Sequence, residues 1–203
     1  MRRTRSGVRK VVAAFVLVGA AATAQGNDPD RTQAQDVEAI ERVGGFVTPG
    51  GWIFPQGTVV DIEGSKATDA DLIHLRSLKG VRVLVLDGTR ITDAGLAHLK
   101  ELKNLKVLSL ENTQVMGLAH LEELKSLRSL DLKGTQVNDA ALVHVGELKS
   151  LRELDLRGTQ VTDVGLDHLE ELRHLRKLTV AETRISTEGI KRLRRSLPWC
   201  RIR

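Results

Sequence analysis

The chain has 203 residues, with 31 lysines and arginines against 26 acidic residues and a formal net charge of +5. A basic balance points to nucleic acid or an anionic membrane, but the location of the charge excludes that reading. Arg2, Arg3, Arg5, Arg9 and Lys10 supply five positive charges within residues 1–24, where no acid lies, which leaves 26 basic residues against 26 acidic ones. The body of the chain is formally neutral, lacks tyrosine and interleaves no aromatics with its basic residues, so it has no nucleic-acid footprint.

Taken in chain order, the first element is an export signal over residues 1–24. A basic stretch, Arg2 to Lys10, precedes an apolar run from Val11 to Ala22, and Ala22-Thr23-Ala24 supplies the small-x-small pattern that export peptidases accept. The run is shorter than the ~20 residues a membrane span needs, so a cleaved peptide fits better than a permanent anchor. An uncleaved segment would be the only membrane contact. No cysteine stands near the site, which removes a lipoprotein reading, and Arg2-Arg3 is only a weak sign of twin-arginine export. The expected location is the periplasm, cell envelope or exterior of a bacterium.

Residues 25–58 read as a polar tether and an N-terminal cap. Gln25 to Gln35 is polar and expected to be a flexible tether. Asp36 to Val43 forms a brief amphipathic helix through Val37, Ile40 and Val43. Phe46, Trp52 and Ile53-Phe54 flank Pro49-Gly50-Gly51, a turn signal between short strands. The aromatics serve as a lid over the end of the core, not as a ligand cage.

Residues 59–203 are periodic. Thr89-Arg90-Ile91-Thr92-Asp93 returns as Thr135-Gln136-Val137-Asn138-Asp139 and Thr159-Gln160-Val161-Thr162-Asp163, with weaker copies at Ser65 and Thr183. Successive copies lie 24 positions apart except Thr113 to Thr135, where the offset is 22, and about six units result. Each unit has two halves. Leu84-Val85-Leu86, Leu108-Ser109-Leu110, Leu130-Asp131-Leu132, Leu154-Asp155-Leu156 and Leu178-Thr179-Val180 alternate apolar, outward and apolar, which predicts a short strand with one buried face. The other half, as in Thr92 to Leu102, predicts a helix capped by Thr92, with Asp93 at its positive end. Neighbouring strands sit ~4.8 Å apart and packed helices ~8–10 Å, so the stack curves with its strands on the concave side. Leu197-x-x-Cys200-x-Ile202 is expected to repeat Leu175-x-x-Leu178-x-Val180, placing the lone Cys200 at a buried strand position beside Trp199. A lone cysteine gives no internal disulfide.

The unit L-x-x-L-x-L-x-x-T-x-[IV]-T-D-x-G-L-x-x-L resembles the leucine-rich-repeat family, closest to the variety shared by F-box substrate receptors and exported bacterial repeat proteins. The resemblance implies an α/β fold, a right-handed horseshoe solenoid with parallel strands on the concave face and helices on the convex face. It is nearly silent on the ligand; no nucleophile elbow, phosphate-binding glycine loop, H-E-x-x-H or Cys-rich metal spacing appears, so a binding module without catalytic, cofactor or metal sites is expected. No F-box-like segment precedes the repeats, so a ubiquitin-ligase role does not carry over.

Two recurrent patterns suggest chemistry and fail on geometry. His74, His98, His120, His144 and His168 fill one slot of successive units, but equivalent positions ~8–10 Å apart cannot share an ion that needs ligand nitrogens ~2 Å away. They are edge residues expected to hydrogen-bond a neighbouring turn. Asp93/His98, Asp139/His144 and Asp163/His168 stand five residues apart, about 140° around a helix, and share no proton. The two-residue deletion at Thr113–Leu118 is expected to leave the strand intact and shorten the helical half. Charged stretches such as Lys100-Glu101-Leu102-Lys103 and Glu122-Glu123-Leu124-Lys125 are solvated outer faces.

The remaining candidate is the concave face, where alternate strand residues project. One column is Asp61, Val85, Ser109, Asp131, Asp155 and Thr179; the next is Glu63, Asp87, Glu111, Lys133, Arg157 and Ala181. The polar members, Asp61, Glu63, Asp87, Ser109, Glu111, Asp131, Lys133, Asp155, Arg157 and Thr179, are the expected contacts of a protein, peptide or glycan ligand bound by a monomer. The first half is acidic and the second alternates in sign. The alternative is a structural, self-associating envelope or matrix component.

Overall fold

The computed structural model describes residues 29–48, 57–78 and 80–203. The export segment, Trp52 and Phe54 therefore lie outside the described residues. Eight strands form one open sheet in chain order: β1 (Phe46–Thr48), β2 (Thr58–Asp61), β3 (Val81–Val85), β4 (Val107–Ser109), β5 (Ser129–Asp131), β6 (Glu153–Asp155), β7 (Lys177–Thr179) and β8 (Arg201–Ile202). All neighbours from β2 onward are parallel, whereas β1 runs antiparallel to β2. Register follows the repeat, with Leu84, Leu108, Leu130, Leu154 and Leu178 opposite one another and buried. One leucine-lined core thus runs the length of the stack, each unit covering the open face of the last.

The helical halves are tighter than expected. Only α3 (Asp139–Gly146) and α5 (Thr187–Ser196) exceed four residues, while α2 (Asp93–Leu96) and α4 (Asp163–Leu166) are single turns. Residues Asp69–Ser77, Ala97–Glu101, Ala119–Leu121 and Asp167–Leu169 are 3-10 helix. The leucine spacing accommodates these tight turns without dictating them. Leu96, Leu99, Leu102 and Leu105 recur every third residue, and all are buried. A 3-10 helix with three residues per turn stacks such positions in line, yet Leu142, Val145, Leu148 and Leu151 keep the same spacing and burial where α3 is α-helical.

The short unit behaves as its spacing predicts. Strand β4 is intact and its helical segment shrinks to Ala119–Leu121, without a side-chain cap. Thr92 and Thr162 cap their helices by accepting the N–H of Ala94 (3.3 Å) and Val164 (3.2 Å).

Two end assignments change. Residues expected to be a tether are helical, since α1 runs Pro29–Arg42 with proline favoured in the first turn. Asp36 fastens this helix to the first unit by accepting from Ser77 Oγ and pairing with His74 Nδ1 at 2.6 Å, while Ile40 enters the core. Phe46 does not act as a lid: it is 45% exposed, and its neighbour Val47 packs inward. At the other end, Ile202 and not Cys200 pairs with Leu178. The Cys200 N–H bonds Leu197 O as Leu175 N–H bonds Leu172 O, so the longer α5 shifts Cys200 into the slot of Leu175. It remains buried there.

Candidate functional site: the concave sheet

The concave columns are assembled as the alternation predicts, but they are not uniformly open. Asp61, Glu63, Glu111, Asp131, Lys133, Asp155, Arg157 and Thr179 are half-buried. Asp87 is only 5% exposed and Ser109 is fully buried. Ser109 therefore forms the floor of the acidic half and is not a direct contact.

Each aspartate in the first column has a local structural task. Asp61, Asp131 and Asp155 use Oδ1 to accept the backbone N–H two residues on, from Glu63, Lys133 and Arg157, at 3.0 Å each. These Asx turns end the strand. Where the first column holds Ser109 instead, Asp87 of the preceding unit reaches across and accepts from Glu111 N at 3.0 Å. The chain then turns at a residue with φ near +60°, supplied by Gly64, Gly88, Gly134 and Gly158 but also by Asn112 (55°) and Glu182 (62°).

Charge compensation differs along the face. In the later half, Lys133 Nζ lies 2.7 Å from Glu111 Oε1, and Arg157 forks onto Asp155 through Nε at 2.9 Å and Nη2 at 2.5 Å. That contact holds the guanidinium above its ordinary pKa. In the acidic half neither Asp61 nor Asp87 forms such an ion pair among the described residues. Burial pushes Asp87 up to about 6 against relief from the Glu111 N–H, and nearby Asp131 and Glu111 add to the rise. The Ser109 hydroxyl beside it favours the ionised form, yet neither Ser109 Oγ nor Asp87 Oδ2 has a hydrogen-bond partner among the described residues. Burial raises Asp131 to about 6 as well, opposed by Lys133 N–H and Arg157 and reinforced by Asp155 and Glu111.

The recurrent histidines are dispersed. His74 meets Asp36 and His144 meets Glu122 at 3.2 Å, whereas His120 and His168 are exposed. His98 buries an unpartnered Nδ1, and burial lowers its pKa beside Arg76. No group of three or more His, Cys, Asp or Glu among the described residues is arranged to hold a metal ion. Burial pushes the Cys200 thiol up to about 11, far from a reactive thiolate.

Sequence reasoning gave the T-D aspartates to the helix dipole and missed their main role. Asp69 takes Thr92 N–H at 2.8 Å and Thr92 Oγ at 2.6 Å, and Asp139 takes Thr162 N–H and Oγ at 2.8 and 2.7 Å. Asp163 bonds Ser186 N–H at 2.7 Å, and in the short unit Asp93 collects the N–H groups of Met116 and Gly117 at 2.8 and 2.9 Å. These carboxylates lock their own unit to the next, at every junction except the one after the short unit. They also fix the glycines: a Cβ on Gly95, Gly165 or Gly189 would meet the preceding unit's carboxylate at 2.4, 2.5 and 2.3 Å. The two units without that glycine follow no such aspartate. Ala141 comes after the short unit, and Asp71, in the first, supplies its own carboxylate to Thr68 N–H and Oγ at 2.8 and 2.9 Å.

Comparison with known proteins agrees with this architecture. The leucine-rich repeat region family matches residues 62–196. Among solved structures, an internalin from Listeria monocytogenes is similar over 64% of this chain and 36% of its own, at 21% identity and a TM-score of 0.57. A leucine-rich-repeat protein of Leptospira interrogans is similar over 64% of this chain and 33% of its own, at 27% identity and a TM-score of 0.55. The chain thus spans about a third of the length of these two structures. No curated protein sequence matches. Repeat register, buried threonine ladder and family match together identify the chain as a member of the leucine-rich-repeat family.

Proposed function

We propose that the chain is an exported recognition module that takes a partner protein on its concave sheet, a basic segment of the partner lying over the acidic half. Repeats of this family are characteristically binding modules and not enzymes. The observation that supports the reading is the pair of carboxyls Asp87 and Asp131, which burial and neighbouring acids push up to about 6, set against the paired charges at Glu111/Lys133 and Asp155/Arg157. With little aromatic surface to anchor a partner, affinity is modest and falls with salt.

The test begins with crosslinking capture of the partner from the native envelope. Asp61→Asn and Asp131→Asn keep the side-chain oxygen that accepts the N–H of Glu63 and of Lys133, and together with Glu63→Gln they remove the charge. Retention of the partner by this variant, with loss on changing Lys100, Glu101, Glu122 and Glu123 to Ala, refutes the assignment. Export is tested separately: cleavage after Ala24 leaves Gln25 as the N-terminus, and an intact Arg2–Ala24 on a cytoplasmic protein refutes it.

A second reading, end-to-end self-association, is favoured by exposed aromatics at both ends, Phe46 at 45% and Trp199 at 46%. A sedimentation coefficient independent of concentration, and equal for Trp199→Ala and the parent, rules it out.

A further inference from the structure

The residue that enters each strand is basic in unit after unit. Arg82, Lys106, Arg128 and Arg152 occupy equivalent places, and a backbone ladder fixes them in register. Lys106 N–H bonds Arg82 O at 2.8 Å, Arg128 N–H bonds Lys106 O at 2.8 Å, and Arg152 N–H bonds Arg128 O at 2.7 Å. Four cations therefore stand in a line along the strand-entry edge, at the ~4.8 Å pitch of the sheet, opposite the edge that bears the acidic columns. Arg176 continues the line but is diverted, its guanidinium 5.9 Å from the Trp199 ring centre and Nη1 donating to Arg173 O at 3.1 Å.

What sets this row apart is the absence of counter-charge. Three residues upstream runs a second basic row, and the protein satisfies it: Lys103 pairs with Glu123 at 3.2 Å, Lys149 with Glu171 at 3.3 Å, and Lys125 donates to Glu147 O at 3.4 Å. Among the described residues none of Arg82, Lys106, Arg128 and Arg152 forms an ion pair, and Glu153, beside Arg152 in sequence, is turned to Lys177 at 3.6 Å. The charges acting on Lys106 are its like neighbours Arg82 and Arg128, which lower its pKa. Like charges directly opposite one another in a sheet are unfavourable, and a polyanion laid along the row would relieve that repulsion.

We propose that this edge binds a linear acidic polysaccharide carrying one carboxylate per sugar. The site is a line and not a patch, so it fits an extended polymer better than a bilayer surface, which calls for an apolar face to insert. The row contains no aromatic residue on which bases would stack. This inference stands apart from the concave-sheet reading, because it uses the other edge of the sheet and a ligand of opposite charge.

The experiment titrates the full chain with fluorescent oligogalacturonate at several salt concentrations, beside neutral dextran, single-stranded DNA and polyglutamate. Oligogalacturonate should bind with a log–log salt slope of about −3, as expected for roughly four cations each displacing most of one counterion. Lys106→Glu/Arg128→Glu/Arg152→Glu should weaken it at least about tenfold, and Arg128→Ala alone should flatten the slope by about 0.7. Lys100→Glu/Lys191→Glu, on other faces, should bind as the parent does, and an unchanged circular dichroism spectrum excludes misfolding. No binding at low salt, equal binding of dextran, equal loss in the control variant, or tighter binding of DNA or polyglutamate overturns the proposal.

Discussion

Replacing Asp87 by Asn isolates the most strained group of the concave face. The carboxyl is 5% exposed and its pKa stands at about 6, against 3.8 for a free side chain, with burial the main cause. A raised carboxyl pKa means that the folded state holds the proton more tightly than the unfolded state. Its contribution to stability is therefore complete below about pH 3.8 and is lost as pH rises through about 6. Linkage converts that difference to about 3 kcal/mol at most. Asparagine keeps the oxygen that accepts from Glu111 N–H and offers an amide donor towards the unpartnered Ser109 Oγ, with no charge to desolvate. Asp87→Asn should match the parent at pH 4 and exceed it by about 1–3 kcal/mol at pH 7.5. Urea unfolding at pH 4, 5, 6 and 7.5 with unchanged m-values reads this directly. A stability difference that stays constant across those pH values refutes the assigned cause, and a variant weaker than the parent at pH 7.5 refutes the sign.

Further expectations rest on separate contacts. Gly165→Ala should destabilise by about 1–3 kcal/mol, because its Cβ meets Asp139 Oδ1 at 2.5 Å; in a double-mutant cycle Asp139→Ala should recover part of that loss, and strict additivity disproves the clash. Glu182→Gly should stabilise by about 0.5–1 kcal/mol in thermal unfolding, since Glu182 holds φ of 62°, a left-handed conformation costly for a residue with a Cβ. Asp36→Ala should detach α1 from His74 and Ser77, seen as faster proteolysis within residues 29–42 with the repeats left intact. Amide exchange should be faster across residues 118–124 than across α3, where the helix is full length.

The sequence carries the core openly and the inter-unit contacts obscurely, for a physical reason. A buried leucine column needs the same residue type at the same place in every unit, so Leu84, Leu108, Leu130, Leu154 and Leu178 announce the sheet and its register. The buried threonines are equally plain: Thr89, Thr113, Thr135 and Thr159 each donate to the carbonyl three residues before, as in Thr135 Oγ to Leu132 O at 2.6 Å. The 3-10 segments were not legible in the same way, because the three-residue apolar spacing is shared by the 3-10 unit at Leu96–Leu105 and the α-helical unit at Leu142–Leu151. The lock between units is harder to see because it pairs an aspartate with a glycine and threonine of the following unit. The signal is nonetheless there: Gly95, Gly117, Gly165 and Gly189 follow Asp69, Asp93, Asp139 and Asp163, whereas Ala141 follows a unit without that aspartate. At the C-terminus, matching by leucine spacing alone misplaced Cys200, since α5 is longer than its counterparts and displaces the register that spacing assumes.

The same bookkeeping separates structural from functional charge on the concave face. Asp61, Asp131 and Asp155 each commit one oxygen to a strand-ending N–H, and Asp87 does so across the repeat boundary. An asparagine oxygen accepts those bonds equally well, so the turn geometry explains an oxygen at each position but not a negative charge. For Asp155 the charge is accounted for by the Arg157 fork, and for Glu111 by Lys133. For Asp87 it is not, and for Asp131 Arg157 offsets it only in part: burial and repulsion from neighbouring carboxylates hold both near 6, so near neutral pH each ionised carboxylate is kept at a cost. A buried charge is tolerable when something pairs with it, and the partner that fits is a cation arriving from outside. An ammonium or guanidinium laid along Glu63, Asp87 and Asp131 would relieve both carboxylates and draw their pKa values downward. Binding of such a ligand must then release protons between about pH 5 and 7, and it tightens over the interval in which the unliganded fold weakens.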